Sequence, residues 1–145
     1  MTEQAGTGTT DLVARLDVLA REPDTPAESR TRLLDALFDR MAARLRPGRA
    51  AAVDAAVCWR FPGGTGDGGF DRYEMVIRDG RCTVGRDLRE PRRRVTVTLD
   101  PGDLGALLTG GATPVVLFVT GRIRVRGDLA FAAGLLGFFD LPEKG

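Results

Sequence analysis

The chain has 145 residues and no histidine, which removes the usual general base and the Ser–His and Cys–His routes to an activated nucleophile. Its two cysteines, Cys58 and Cys82, form no CxxC pair, and with carboxylates as the only other ligands they make a poor transition-metal set, so no metal or other cofactor is expected. Acid–base work would fall to Tyr73, Cys58 or a carboxylate, and no spacing pairs such groups. Gly64, Gly66 and Gly69 satisfy GxGxxG within Pro62–Gly69. That motif holds a pyrophosphate only where its last glycine opens a helix. Here the following residues alternate as a strand, so the stretch reads as a flexible hairpin connection. The run Arg92-Arg93-Arg94 reads as the solvated start of a strand rather than a phosphate site. With 21 basic against 20 acidic residues and a formal net charge of +1, the chain has no global attraction to nucleic acid.

Catalytic motifs are therefore missing, and the unusual feature is apolar. Gly121-Arg-Ile-Arg-Val-Arg-Gly127 alternates with period two, which places Ile123 and Val125 on one strand face and three arginines on the other. Asp128 can accept from the free N–H groups of a helix that follows, Leu129 to Phe139, which carries no charged or hydrogen-bonding side chain. Such a helix should be covered on most of its circumference. At eleven residues it is too short to span a bilayer. A packed terminal helix, the wall of an apolar cavity and a partner contact all satisfy the pattern.

The remaining elements can be taken in order. Met1–Thr10 is Gly/Thr-rich and reads as disordered. Leu12, Val13, Leu16, Leu19 and Ala20 space an amphipathic helix over Asp11–Glu22 that Pro23 ends. Thr25-Pro26-Ala27-Glu28 is a capping box with proline at the first helical position. The second helix runs from about Pro26 to Leu45, with Leu33, Leu34, Leu37, Phe38, Met41 and Leu45 as its stripe, and Pro47-Gly48 stops it. Strands follow at Val53–Phe61, Phe70–Arg78, Arg81–Asp87 and Val95–Leu99, with Asp79-Gly80 as a tight turn. Asp100-Pro101-Gly102-Asp103 is a cap sequence for a short helix, Leu104–Thr109, ending at Gly110-Gly111. Pro114–Val119 is ambiguous, since its β-branched residues favour a strand and proline after Thr113 favours helical turns.

From about Pro26 to Leu141 this order resembles the sterol carrier protein type 2 family, the sterol-binding or nonspecific lipid-transfer domain. Tyr73, Ile77, Arg78 and Gly80 resemble the family's hairpin, with tyrosine where tryptophan is common. Val95–Gly110 resembles its strand and short helix, and Pro114, Phe118 and Gly121–Asp128 resemble its most specific segment. The resemblance implies an α+β fold in which a five-stranded, mainly antiparallel sheet is covered by helices around an apolar tunnel, and it makes Pro114–Val119 helical. It divides the chain into an extension, residues 1–25, with one short amphipathic helix, and a sterol-carrier-like domain, residues 26–145. The family has no regular counterpart to that first helix, which would be a cover over one end of the sheet or a dimer arm.

The expected activity is binding and carrying a hydrophobic small molecule, such as a sterol, fatty acyl chain or other lipid-like ligand. Candidate contacts are Leu37, Phe38 and Met41 on the second helix, Trp59, Tyr73 and Met75 on the first hairpin, and Leu104, Leu108 and Phe118 on the later helices. Ile123 and Val125 on the last strand and Phe131, Leu135, Phe138 and Phe139 beyond it complete the set. Small residues Ala130, Ala132, Ala133, Gly134 and Gly137 leave room beside the phenylalanines. Enclosing about 300 Å² of ligand at roughly 25 cal/mol per Å² contributes about 7 to 8 kcal/mol gross, and subtracting association costs leaves micromolar affinity with little selectivity. Tyr73, Arg78 and Thr120 are candidates for polar groups at the mouth. The reading favours a binding protein over an enzyme. The alternatives are a cavity enzyme acting on an apolar biosynthetic intermediate such as a polyketide, and a dimerisation or docking module. The expected partners are the ligand and, at most transiently, a membrane; a homodimer is left open. Without a secretory signal pattern at its N-terminus and with free thiols, the chain is expected in the cytoplasm.

Overall fold

A computed structural model describes residues 8–20, 26–64, 66–86 and 93–141. Five strands, β1 (Ala55–Pro62), β2 (Phe70–Arg78), β3 (Arg81–Gly85), β4 (Arg93–Leu99) and β5 (Ile123–Gly127), form one sheet in the order β3-β2-β1-β4-β5. β1 and β4 are parallel and every other pair is antiparallel, so the α+β fold and the mainly antiparallel sheet are as expected. The alternation read from the sequence sets one face inward: Val57, Trp59 and Phe61 on β1, Tyr73, Met75 and Ile77 on β2, Val95, Val97 and Leu99 on β4.

Helices α1 (Thr9–Ala20), α2 (Ala27–Ala43), α3 (Pro47–Ala50), α4 (Pro101–Thr109), α5 (Pro114–Val119) and α6 (Leu129–Gly134) complete the chain. The stripe Leu34, Leu37, Phe38 and Met41 of α2 is fully buried. Phe38 is its hub: it stacks on Tyr73 at 4.3 Å between ring centroids and meets Trp59 and Phe61 edge-on, each at 5.8 Å. Each such pair adds about 0.5–1.5 kcal/mol beyond its buried area. α1 packs on α2 and α4 of its own chain, and a Cβ at Gly105 would lie 2.7 Å from Val13 Cγ1. The extension's helix is thus packed on α2 and α4, seated where α4 has no side chain.

Several local expectations change. α2 begins at Ala27 with Pro26 flanking it and no side-chain cap bond; Thr25 lies outside the described residues. α2 ends at Ala43, short of the expected Leu45, and Pro47 opens the single turn of α3. α4 starts at Pro101, ahead of the expected Leu104, and Asp100 makes no side-chain cap bond. Asp103 is buried and pairs with Arg122. α5 is helical despite its β-branched residues, because Thr113 Oγ1 accepts from the Val116 N–H at 3.3 Å and Pro114 takes a first-turn position. The last helix is shorter and less covered than expected: it tightens after Gly134 into a 3₁₀ turn, Leu135–Phe138. Phe131, Leu135 and Phe139, spaced four apart, are buried, while Leu129, Ala130, Ala133, Gly134 and Gly137 are exposed. An apolar composition was read as burial over most of the circumference; the exposed side is made mostly of residues too small to need it.

Candidate functional site

The turn from β5 into α6 places the site. Gly127 has φ +107°, and a Cβ there would run into the Arg94 carbonyl, so only glycine lets β5 close against β4 while the chain turns. Asp128 Oδ1 then accepts from the Phe131 N–H at 2.9 Å, and its Oδ2 accepts from Arg94 Nε at 3.1 Å. That N–H, and next Arg94, hold the Asp128 carboxyl below the usual carboxylate range. Arg94 also lies 4.2 Å over the Phe131 ring. At its far end the segment is tied back to the end of α2: Arg46 N–H donates to the Phe138 carbonyl at 2.7 Å, Asp140 N–H donates to the Arg44 carbonyl at 2.8 Å, and Arg44 Nη2 pairs with Asp140 at 2.5 Å.

Held at both ends, α6 and its 3₁₀ extension stand off the sheet over a cavity of about 190 Å³. Its lining comes from the sheet (Trp59, Val97, Ile123, Val125), from α4 and α5 (Leu107, Pro114, Val115, Phe118) and from the last segment (Leu129, Ala132, Ala133, Leu135, Leu136). Every lining residue is apolar. Val115, Phe118 and Leu129 both line the cavity and stand at least half exposed, so they mark its mouth, between α5 and α6. Trp59 is 2% exposed, and its indole N–H is buried without an acceptor among the described residues.

Of the residues singled out in the sequence, Trp59, Phe118, Ile123, Val125 and Leu135 line this cavity. Leu37, Phe38, Met41, Met75, Leu104 and Leu108 lie in the packed core instead, as do Phe131 and Phe139. Phe138 packs against that core and meets Phe131 at 6.0 Å. Val97, Leu107, Pro114, Val115, Leu129 and Leu136 were not singled out. Inward alternation marked Val97, but nothing local separates a residue beside a hollow from one beside a neighbour.

The three polar candidates for the mouth sit elsewhere. The Tyr73 hydroxyl donates to Asp35 Oδ1 at 2.5 Å, and Arg86 Nη2 donates to the same oxygen at 2.7 Å and to the hydroxyl at 3.2 Å. Burial, then the Asp35 hydrogen bond, push the Tyr73 hydroxyl far above its ordinary value, so it stays neutral and structural. Arg78 pairs with Asp54 at 2.9 Å, and Thr120 Oγ1 donates to the Val116 carbonyl at 2.7 Å. Burial alone raises the Cys82 thiol to about 12, which leaves it protonated and unreactive. Among the described residues no group of three or more metal-ligating side chains is assembled. No helix among them is long and apolar enough to cross a membrane. The arrangement can enclose apolar matter, and among the described residues no acid, base or nucleophile lines the cavity.

Solved structures with this architecture include an alkylsulfatase and a sterol carrier protein. The stereoselective inverting sec-alkylsulfatase Pisa1 from Pseudomonas sp. superposes with a TM-score of 0.65 at 22% identity, over 77% of this chain and 17% of that one. Sterol Carrier Protein 2 from Yarrowia lipolytica, in its apo form, superposes with a TM-score of 0.57 at 18% identity, over 76% of this chain and 91% of that one. The fold is thus that of sterol carrier protein type 2, as the sequence resemblance implies. In sequence, human stomatin-like protein 1 is 30% identical over 86 residues, which is 59% of this chain and 22% of the relative. The chain accordingly spans about a fifth of the length of that relative and of the alkylsulfatase. Residues 23–145 match the family model described as alkyl sulfatase C-terminal, and with that match covering most of its length the chain belongs to the alkyl sulfatase C-terminal family.

Proposed function

We propose that the chain is a binding domain that takes the apolar part of a hydrophobic or amphiphilic small molecule into the cavity beneath α6. The observation that carries this is the predominantly apolar lining, among the described residues, of a hollow that opens through Val115, Phe118 and Leu129. An empty hollow of this size costs the protein dispersion contacts that a bound alkyl segment restores. Solved structures of this fold include one protein named for sec-alkyl sulfates and one named for sterols, both molecules with an apolar part. Residues 26–145 form the binding domain in this reading and α1 is its cover, working in the cytoplasm. The cavity-enzyme alternative finds no titratable side chain on the lining among the described residues. A fatty acyl chain or alkyl tail enters end-on, leaving its polar head in water at the mouth.

The test is native mass spectrometry of the purified protein, followed by displacement of an environment-sensitive fluorescent fatty acid. A one-to-one complex with an apolar small molecule, released competitively by alkyl amphiphiles, is the expected result. A protein that neither carries nor acquires such a ligand overturns the proposal.

A further inference from the structure

A single side-chain donor interrupts the apolar wall of the cavity. Among the described residues that line it, Trp59 alone carries a side-chain nitrogen or oxygen. Its Nε1 is buried and has no acceptor among the described residues. Buried donors are nearly always paired, because an unpaired one has given up its bond to water and gained nothing in return.

The position of the indole restricts where a partner can come from. Trp59 points inward from β1, the middle strand of the sheet, opposite Tyr73 of β2 on one side and Val97 of β4 on the other. Toward β2 the space is filled: Phe38 stacks on Tyr73 and meets the Trp59 ring edge-on at 5.8 Å. Toward β5 the row continues through Val97 to Val125, and both of these line the hollow with Trp59. An acceptor therefore arrives from the hollow. A water molecule does not suit the place, since an ordered buried water makes about three hydrogen bonds and no other described lining side chain offers one. A ligand atom does suit it, because the apolar body around that atom holds it in place and one polar contact is enough. Depth decides which part of the ligand is concerned. Trp59 is 2% exposed, whereas Val115, Phe118 and Leu129 at the mouth are at least half exposed, so a head group left in water at the mouth is not what reaches the indole.

We propose that the ligand of this cavity carries an acceptor oxygen on its enclosed part, a carbonyl, ester or ether oxygen, which accepts from Trp59 Nε1. This rests on the cavity reading and narrows its ligand class from plain alkyl chains to chains or rings oxygenated away from the head. The test uses octyl sulfate and its keto analogues, with the carbonyl moved along the chain one carbon at a time, titrated by calorimetry below their micelle concentrations. A buried carbonyl weakens binding through its lost hydration. At one position the Trp59 N–H should recover about three- to tenfold of that loss, the worth of a neutral hydrogen bond. In Trp59→Phe the recovery should vanish. Because Trp59 is the only tryptophan, its indole N–H gives a single proton resonance in wild type. That resonance should move downfield with the favoured keto analogue and not with octyl sulfate, a reading that needs no variant. Octyl sulfate that binds with no recovery at any carbonyl position overturns the proposal and leaves the cavity reading standing. A recovery that persists in Trp59→Phe, or an indole resonance that responds alike to both compounds, does the same. A protein that binds none of these compounds overturns both.

Discussion

A straight-chain series measures the hollow beneath α6 directly. A cavity of about 150 Å³ accommodates benzene, or about 25 Å³ per carbon, so one of about 190 Å³ takes roughly seven or eight carbons. Each methylene moved from water into apolar surroundings contributes about 0.8 kcal/mol, close to fourfold in Kd. n-Alkyl sulfates from butyl to dodecyl, titrated below their micelle concentrations, should therefore tighten about fourfold per carbon up to about octyl. Beyond that length the gain should flatten, because later carbons meet only Val115, Phe118 and Leu129, each at least half exposed. Trp59 is the only tryptophan and part of the wall, so its emission reports occupancy without a label. Ala132→Phe adds a benzene-sized ring, the guest that a cavity of about 150 Å³ accommodates, at a half-buried wall position. It should abolish the chain-length dependence without lowering Tm. Affinity independent of chain length, a slope that persists undiminished to dodecyl, or an Ala132→Phe protein that titrates like wild type would refute the assignment of the ligand to this cavity.

Gly105→Ala drives a methyl into Val13 and should cost about 1–3 kcal/mol by overpacking, read as a lowered urea midpoint; Val13→Ala on the same chain should restore most of it. If the single substitution is silent, α1 does not sit on α4. Asp128→Ala should lower Tm at neutral pH through loss of the Phe131 N–H and Arg94 bonds. Because those bonds depress the folded carboxyl's pKa, the stabilisation is complete above the usual carboxylate value of about 3.9 and fades as pH falls through the depressed one. The gap between wild type and variant should accordingly close in acid, and a gap that is constant with pH counts against the pairing. With its thiol raised to about 12 by burial, Cys82 should resist iodoacetamide at mildly alkaline pH until urea unfolds the chain; peptide mapping that finds it alkylated in native protein would contradict that burial.

Much of the fold was legible because its signals are local. Period two in Val53–Phe61, Phe70–Arg78 and Val95–Leu99 identified the strands and their inward faces, although the first begins only at Ala55. The cap grammar at Asp128 marked a helix start that the Phe131 N–H bond bears out, whereas Pro114–Val119 was ambiguous locally and became helical through the resemblance. The absence of histidine and of paired nucleophiles pointed away from catalytic motifs.

What the chain's order of residues determined, then, was the set of elements, the side of each strand that turns inward and the apolar character of the C-terminal segment. Only tertiary structure decided where the hollow lies. Phe38 and Phe118 look alike as apolar helix residues, yet the first is fully buried under the sheet's centre and the second stands half exposed at a mouth. A hollow is the volume left between elements once their separations are set. Those separations depend on long-range ties such as Arg44 with Asp140, and Gly127 against Arg94, which no local period encodes.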